Sequence, residues 1–166
     1  MTTLHISGFP HIGRKREFKH ALDAYWSGTL SQQKLVQTAH AVREENWGIQ
    51  IASGLDWLTV GDFSYYDQML DLTCMLGAIP KRFDISPEKA DLDAYFILAR
   101  GAKNTPALAL TKWFDTNYHY LVPEVSSKTT FSAYPTLLTE AIQAAKLHQL
   151  PVKATLIGPL TWLYLS

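Results

Sequence analysis

The chain has 166 residues, 47% of them hydrophobic and 18% charged, which predicts one folded domain and excludes a disordered tail or a coiled coil. Fifteen basic and fifteen acidic side chains cancel, so the charge balance gives no reason to expect nucleic acid or a membrane surface as partner. The single cysteine, Cys74, excludes an internal disulfide and a cysteine-pair zinc site. A single cysteine fits a reducing cytoplasm best, and the sequence shows neither a signal-peptide pattern nor an apolar run long enough to span a bilayer.

The first part of the chain predicts one short strand followed by two helices. Residues 3–7 have the pattern of a strand, and a loop containing glycine and proline leads into a helix over residues 14–26, closed by Gly28. Thr29 and Gln32 form a capping-box pattern, which predicts the start of a second helix that continues to Gly54.

Basic side chains crowd the start of the first predicted helix. They are Arg14, Lys15, Arg16, Lys19 and His20, with Glu17 as the only acidic residue among them. The helix dipole disfavours each cation at this end by a few tenths to about 1 kcal/mol. A bound anion would account for the arrangement, since free N–H groups at a helix start also attract anions. A solvated basic face is the alternative, and Phe18 belongs to the apolar stripe and is predicted to lie in the core.

A second strand is predicted over Leu55–Val60, followed at once by Gly61 and Asp62. Polar residues just beyond a parallel strand often carry chemistry, but Asp62 could equally cap the next helix together with Ser64. That helix has its apolar face at Tyr66, Met69, Leu70, Thr73 and Leu76. Cys74 lies within it and is predicted to be a small buried hydrophobe. A further helix is predicted to start at Ser86-Pro87-Glu88.

The stretch TKWFDTNYHYLVPE, Thr111 to Glu124, combines aromatic rings with charged and amide side chains. From Asn117 onwards it alternates as a strand does, and Pro123 ends it. Its polar face predicts either a ligand or a satisfied polar layer inside a barrel. A helix after Pro135 and a last strand over Val152–Ile157 follow, and a new turn begins at Thr161.

The alternation of strands and helices predicts an α/β fold with parallel strands, about half of a (β/α)8 TIM-type barrel spanning residues 1–166. Half a barrel leaves two strand edges unpaired, which predicts a possible homodimer through those edges.

Familiar catalytic patterns are missing from the sequence. The six histidines form no HxH, HExxH or cysteine-paired arrangement, and there is no P-loop, GxGxxG or GxSxG. What remains is an anion-plus-ring site made of the basic residues 14–20 and Lys112 with its aromatic neighbours. A stand-alone module binding a small anion, and a Schiff-base enzyme using Lys153, stay open as alternatives.

Four segments carry a resemblance to a known family. They are GFPHIGRKREFKHALDAYW, VGDFSYYDQML, TKWFDTNYHYLVPE and GPLTWLYL. Together they resemble the amino-terminal portion of cobalamin-independent methionine synthase (5-methyltetrahydropteroyltriglutamate–homocysteine methyltransferase), over essentially the whole chain. The departures are Phe18 and Leu110, where the family usually has leucine and methionine.

The resemblance implies a definite function. In that family two (βα)8 barrels face each other, and a methyl group passes from a polyglutamylated folate to homocysteine. A zinc ion in the carboxyl-terminal barrel converts homocysteine to its thiolate. It implies that Arg16, Glu17, Phe18, Lys19 and Lys112 bind 5-methyltetrahydropteroyltriglutamate. It also implies that the zinc ligands lie outside this chain, that no catalytic or metal residue lies within it, and that the chain alone is inactive.

Overall fold

The computed structural model describes residues 2–166, and they divide into two compact units. The first unit contains residues up to 65 together with 137–155, and the second contains 66–136 together with 156–166. The helices are α1 (Glu17–Trp26), α2 (Gln32–Ala52), α3 (Gln68–Met75), α4 (Leu92–Arg100), α5 (Thr136–Lys146) and α6 (Pro159–Tyr164). The strands are β1 (Leu58–Val60), β2 (Leu110–Lys112), β3 (His119–Leu121) and β4 (Val152–Ala154).

The first unit is built on a parallel pair of strands. Strands β1 and β4 pair in parallel, with Leu58 opposite Val152 and Val60 opposite Ala154. The side chains of Leu58 and Val60 are almost fully buried against Trp47 of α2 and the alanines of α5. Helices α3 to α5 and the strands β2 and β3 lie between these two strands along the chain, so the pairing confirms a mixed α/β fold with a short parallel sheet.

The second unit is organised around a hairpin. Strands β2 and β3 pair antiparallel, with Lys112 opposite His119 and Thr111 opposite Tyr120. Tyr120 is buried with Met69 of α3 and Trp162 of α6, and its hydroxyl donates a hydrogen bond to the Leu165 carbonyl. Among residues 2–166, no helix has the length and apolar character needed to cross a bilayer.

Two strand predictions need correction. Residues 3–7 form no strand, because side chains take up part of their backbone hydrogen bonding: Asp56 accepts from the Leu4 N–H at 2.8 Å and Thr59 donates to the Ile6 carbonyl. Strand β3 does not continue the parallel sheet, since it pairs antiparallel with β2. Strand β2 was not predicted, because its three residues are all exposed and show no alternation.

Helix starts were also predicted imperfectly. Helix α2 is capped by Ser31, whose side chain accepts from the Lys34 N–H, while the Thr29 hydroxyl donates to the Ala24 carbonyl of α1. Ser86-Pro87-Glu88 starts only one 3-10 turn, Pro87–Lys89, and Asp91 caps the separate helix α4. Several capping residues stand within a few positions of each other here, and tertiary contacts decide which one is used.

Candidate functional site

The loop that enters α1 holds Arg16 in an unusual backbone conformation. Arg16 is the residue before the helix, with φ 62° and ψ 32°, which is the left-handed region. The bend is closed by hydrogen bonds from the Arg16 N–H to the Gly13 carbonyl and from the Phe18 N–H to the Ile12 carbonyl. A side chain in this region costs on the order of 1 kcal/mol. Strain of this kind concentrates where a side chain must be aimed at something.

The helix begins later than the sequence suggested, at Glu17 instead of residue 14. Arg14, Lys15 and Arg16 therefore precede the helix, and its first position is acidic, as the dipole prefers. The Glu17 carboxylate accepts from the Lys15 N–H at 2.9 Å. Hydrogen bonds from its own N–H and from that of Lys15 lower the pKa of Glu17.

The cations of this segment differ in their partners. Arg14 forms an ion pair with Glu45 at 2.9 Å, and Lys19 pairs with Asp23 one turn along α1. Arg16 is exposed and has no ion-pair partner within residues 2–166. The cluster is thus more balanced than the sequence alone indicated, although Arg16, like Lys15, forms no ion pair within residues 2–166.

Phe18 is a core residue, as its place on the apolar stripe predicted. Its side chain is 1% exposed. Its ring lies 4.9 Å from that of Phe63 and 5.7 Å from that of Tyr65, centroid to centroid, and His11 packs edge-on against Phe18 and Phe63. A ligand at this segment would therefore meet the backbone of Phe18 and not its ring.

Asp62 anchors the loop and does not cap a helix. Its Oδ2 accepts from the Phe9 N–H at 2.7 Å, while the cap of α3 is Asp67. Asn46 of α2 donates to the Pro10 carbonyl at 2.9 Å and holds the same loop from another side. Burial raises the pKa of Asp62. The carboxyl end of β1 thus fixes the segment that leads to Arg16.

A groove beside Glu17 does not look like an anion site. It has a volume of about 350 Å³ between α1 and α2. Its charged lining consists of Glu17, Glu45 and Lys34. Two carboxylates against one ammonium disfavour an anion, so we place no acidic ligand there.

Lys112 occupies the other predicted position, on the hairpin of the second unit. It is exposed on β2, and no acidic side chain of residues 2–166 pairs with it. The next residue, Trp113, packs edge-on against Phe114 and Tyr120 at centroid distances of 5.2 and 5.7 Å. The short loop after it is closed by the Trp113 N–H donating to the Tyr118 carbonyl at 2.7 Å. A free ammonium thus stands beside a rigid aromatic layer.

Arg16, Glu17, Phe18 and Lys19 lie together on the first unit, and Lys112 lies on the second. Their convergence on one ligand stays a prediction.

Two other side chains with reactive groups, Lys153 and Cys74, are not available as nucleophiles in this structure. The ammonium of Lys153 donates to the Ile6 carbonyl and lies 2.8 Å from His5 Nδ1. Burial, together with the charges of Asp71 and Asp67, raises the pKa of the Cys74 thiol, which agrees with the prediction that it is not a nucleophile. The side chain is half-buried and not fully buried as predicted. Within residues 2–166, no three histidine, cysteine, aspartate or glutamate side chains are grouped so as to hold a metal ion.

The left-handed conformation of Arg16 leads to a first prediction. Arg16→Gly should raise the free energy of unfolding by about 0.5–1 kcal/mol, because glycine adopts this conformation without strain. The same change should weaken binding of a polyacid, because the unpaired cation is lost. Urea titration and calorimetry on one protein preparation measure both effects. Arg14→Gly is the control and should not stabilise; a destabilised Arg16→Gly would contradict the strain argument.

Comparison with known proteins shows the family of this chain. Residues 3–166 match the family described as cobalamin-independent synthase, N-terminal domain. The chain is 52% identical to the 5-methyltetrahydropteroyltriglutamate–homocysteine methyltransferase of Actinobacillus pleuropneumoniae serotype 5b, 50% to that of Haemophilus influenzae and 49% to that of Paraburkholderia xenovorans. Each alignment covers 100% of this chain and 22% of the relative. The chain therefore belongs to the cobalamin-independent synthase family and spans about a fifth of the length of these relatives.

Residues that the sequence did not single out also matter for the site. Asp67 ties α3 to β3, and Arg43 is 9% exposed above the Phe63 ring. Arg43 lies four residues after Ala39 and four before Trp47, both buried on α2. The sequence could have indicated Arg43, because an arginine at this spacing falls on the apolar face of the helix.

Proposed function

We propose that this chain supplies the folate-tail-binding part of an enzyme that transfers a methyl group from 5-methyltetrahydropteroyltriglutamate to homocysteine, giving methionine. The observation that carries the proposal is that Arg16, on a hydrogen-bonded turn, and Lys112, on a hairpin, are exposed cations without an ion pair in residues 2–166 of a chain of this family. The relatives are named for a triglutamate substrate, 5-methyltetrahydropteroyltriglutamate.

The chemistry of the tail fits these groups. A polyglutamate chain carries several carboxylates, and each can accept charge-assisted hydrogen bonds from a guanidinium or an ammonium. Arg16 offers a planar set of donors from a fixed backbone, and Lys19, already paired with Asp23, offers a second charge one turn away. Glu17 and Phe18 contribute through the turn: Glu17 fixes the Lys15 N–H, and Phe18 anchors the helix start.

Binding of the tail would help the reaction by orienting the distant methyl-bearing end of the substrate. Contacts with a remote part of a substrate can be used to orient its reacting end. Here the side chains would hold the tail so that the methyl-bearing ring is presented in one position. The residues described perform no bond-making step themselves.

Zinc and homocysteine belong to other parts of the proposed enzyme. Zinc would supply the thiolate form of homocysteine, but the donor groups within residues 2–166 do not fit a metal site. No step is therefore assigned to zinc here, and we expect the 166-residue chain alone to form no methionine. We also propose that the chain forms part of a (β/α)8 barrel, that two copies pair through their strand edges, and that the protein works in the cytoplasm.

The decisive measurement is the dependence of binding on tail length. Calorimetry of 5-methyltetrahydrofolate with one and with three glutamates should show tighter binding of the triglutamate. Arg16→Ala and Lys112→Ala should each weaken triglutamate binding about 10- to 100-fold and leave the monoglutamate little changed, because each removes a hydrogen bond between charged groups.

Matched controls separate this effect from general loss of charge. Arg14→Ala removes an arginine already paired with Glu45, and Lys128→Ala removes an exposed lysine of the second unit. Both should bind triglutamate as the parent chain does. Equal affinity of the parent chain for the two tail lengths would refute the proposed function and favour a module for a small anion.

A further inference from the structure

Arg43 is a buried cation without an ion-pair partner in residues 2–166. It is 9% exposed, on the inner face of α2. No carboxylate within residues 2–166 forms an ion pair with it. Removing a charge from water is costly unless it is paired and hydrogen-bonded. A fold that buries an arginine in this way requires a reason beyond packing.

The hydrogen bonds of Arg43 are also incomplete. Its Nη2 lies 3.1 Å from His40 Nδ1, and burial together with the Arg43 charge lowers the pKa of His40, so a neutral ring accepts that bond. The Nε of Arg43 is buried and has no hydrogen-bond partner in the described residues. A neutral imidazole does not balance the charge, and the Nε–H retains an unused donor.

The surroundings of Arg43 include the loop just beyond the carboxyl end of β1. Its guanidinium lies 5.4 Å from the centre of the Phe63 ring, three residues beyond β1. Phe63 in turn packs on Phe18, so one ring separates Arg43 from the segment that carries Arg16. The carboxyl ends of parallel strands are where α/β folds bind their ligands. Burial lowers the pKa of Arg43, while the charges of Tyr65, Glu140, Glu44 and Asp62 oppose that effect.

We infer that Arg43 binds a carboxylate of the ligand at the carboxyl end of β1, using the Nε–H that the fold leaves unpaired. This inference rests on the proposed function, in which the ligand is a polyacid. Arg16 and Lys19 would hold one stretch of the tail at the helix start, and Arg43 would receive a further carboxylate on the inner side of the Phe63 ring. A guanidinium suits this role because Nε and Nη donate side by side to the two oxygens of a carboxylate.

The test observes the Nε–H group directly. In 15N-labelled chain, the Arg43 Nε–H signal is assigned by its loss in Arg43→Lys and followed during titration with γ-linked triglutamate lacking the pterin. We expect a downfield proton shift that saturates with binding. Arg43→Lys, which keeps the charge but loses the Nε donor, should weaken binding about ten-fold. Arg14→Lys, the exposed control, should change it less than about two-fold.

The outcomes separate this inference from the proposed function. If triglutamate binds and Arg16→Ala weakens it, while the Arg43 signal stays in place and Arg43→Lys binds normally, the proposed function holds and the role of Arg43 is refuted. If Arg43→Lys and Arg14→Lys weaken binding equally, general electrostatics explain the result and the role is refuted. If free triglutamate does not bind, the role of Arg43 is refuted, and the proposed function fails as well only if triglutamyl folate binds no more tightly than the monoglutamate. Backbone amide spectra of each variant establish that it is folded.

Discussion

Phe18→Ala is expected to lower the free energy of unfolding by about 3–5 kcal/mol, as for other buried phenylalanines truncated to alanine. The ring is 1% exposed and is enclosed by Phe63, Tyr65 and His11. Its removal leaves a cavity under the helix start, where relaxation would move Arg16. Urea denaturation followed by tryptophan fluorescence measures the loss, and polyacid binding should fall with it.

Two variants make this prediction specific. Phe18→Leu places the residue usual for the family at this position and should cost only about 1–2 kcal/mol, with binding retained. Phe131→Ala removes a ring that is 53% exposed and should cost less than about 1 kcal/mol. A loss of binding in a stable Phe18→Leu chain would show that the ring itself contacts the ligand, contrary to its burial.

Asp67→Ala is expected to lower the free energy of unfolding by about 2–4 kcal/mol, because one buried carboxylate satisfies three backbone donors. Its Oδ1 accepts from the Met69 and Leu70 N–H groups at the start of α3, and its Oδ2 accepts from the Leu121 N–H of β3 at 3.1 Å. Asp91→Ala is the matched control, since Asp91 caps α4 from an exposed position. It should cost about 1 kcal/mol. Equal losses for the two would refute the role of Asp67 as a link to β3.

The pH dependence of Asp67 gives an independent check. Burial raises the pKa of Asp67 above its ordinary 3.8. The folded chain therefore holds this proton more tightly than the unfolded chain, and its contribution to stability falls as pH rises from about 4 through the folded pKa. Asp67→Asn cannot titrate, so the stability difference between the parent chain and Asp67→Asn should shrink over the same interval. A difference that grows with pH would contradict this sign.

Much of the fold followed from local pattern. The apolar spacing predicted the burial of Phe18 in α1 and of Met69, Leu70 and Thr73 in α3, and alternation predicted β3. These signals work because one face of each element must be buried. Strand β2 was missed, since its three residues are all exposed and carry no alternation to detect.

The site was less predictable than the fold. The basic cluster was recognised, but its ion pairs with Asp23 and Glu45 depend on helix register and on packing between α1 and α2. The left-handed Arg16 had no signal, because glycine or asparagine usually marks that conformation. Which aspartate caps α3 was also decided by tertiary contacts: Asp62 is engaged by Phe9, which leaves Asp67 for the helix.

The backbone at Arg16 bears on attempts to make this chain more heat-resistant. A library selected only by survival at high temperature would enrich glycine or asparagine at this position, since both tolerate φ near 62°. Each enriched clone would be more stable to heat but would lack the unpaired guanidinium of Arg16. Selection for thermal tolerance and retention of a polyanion would thus oppose each other at a single codon, so a screen should apply both pressures together.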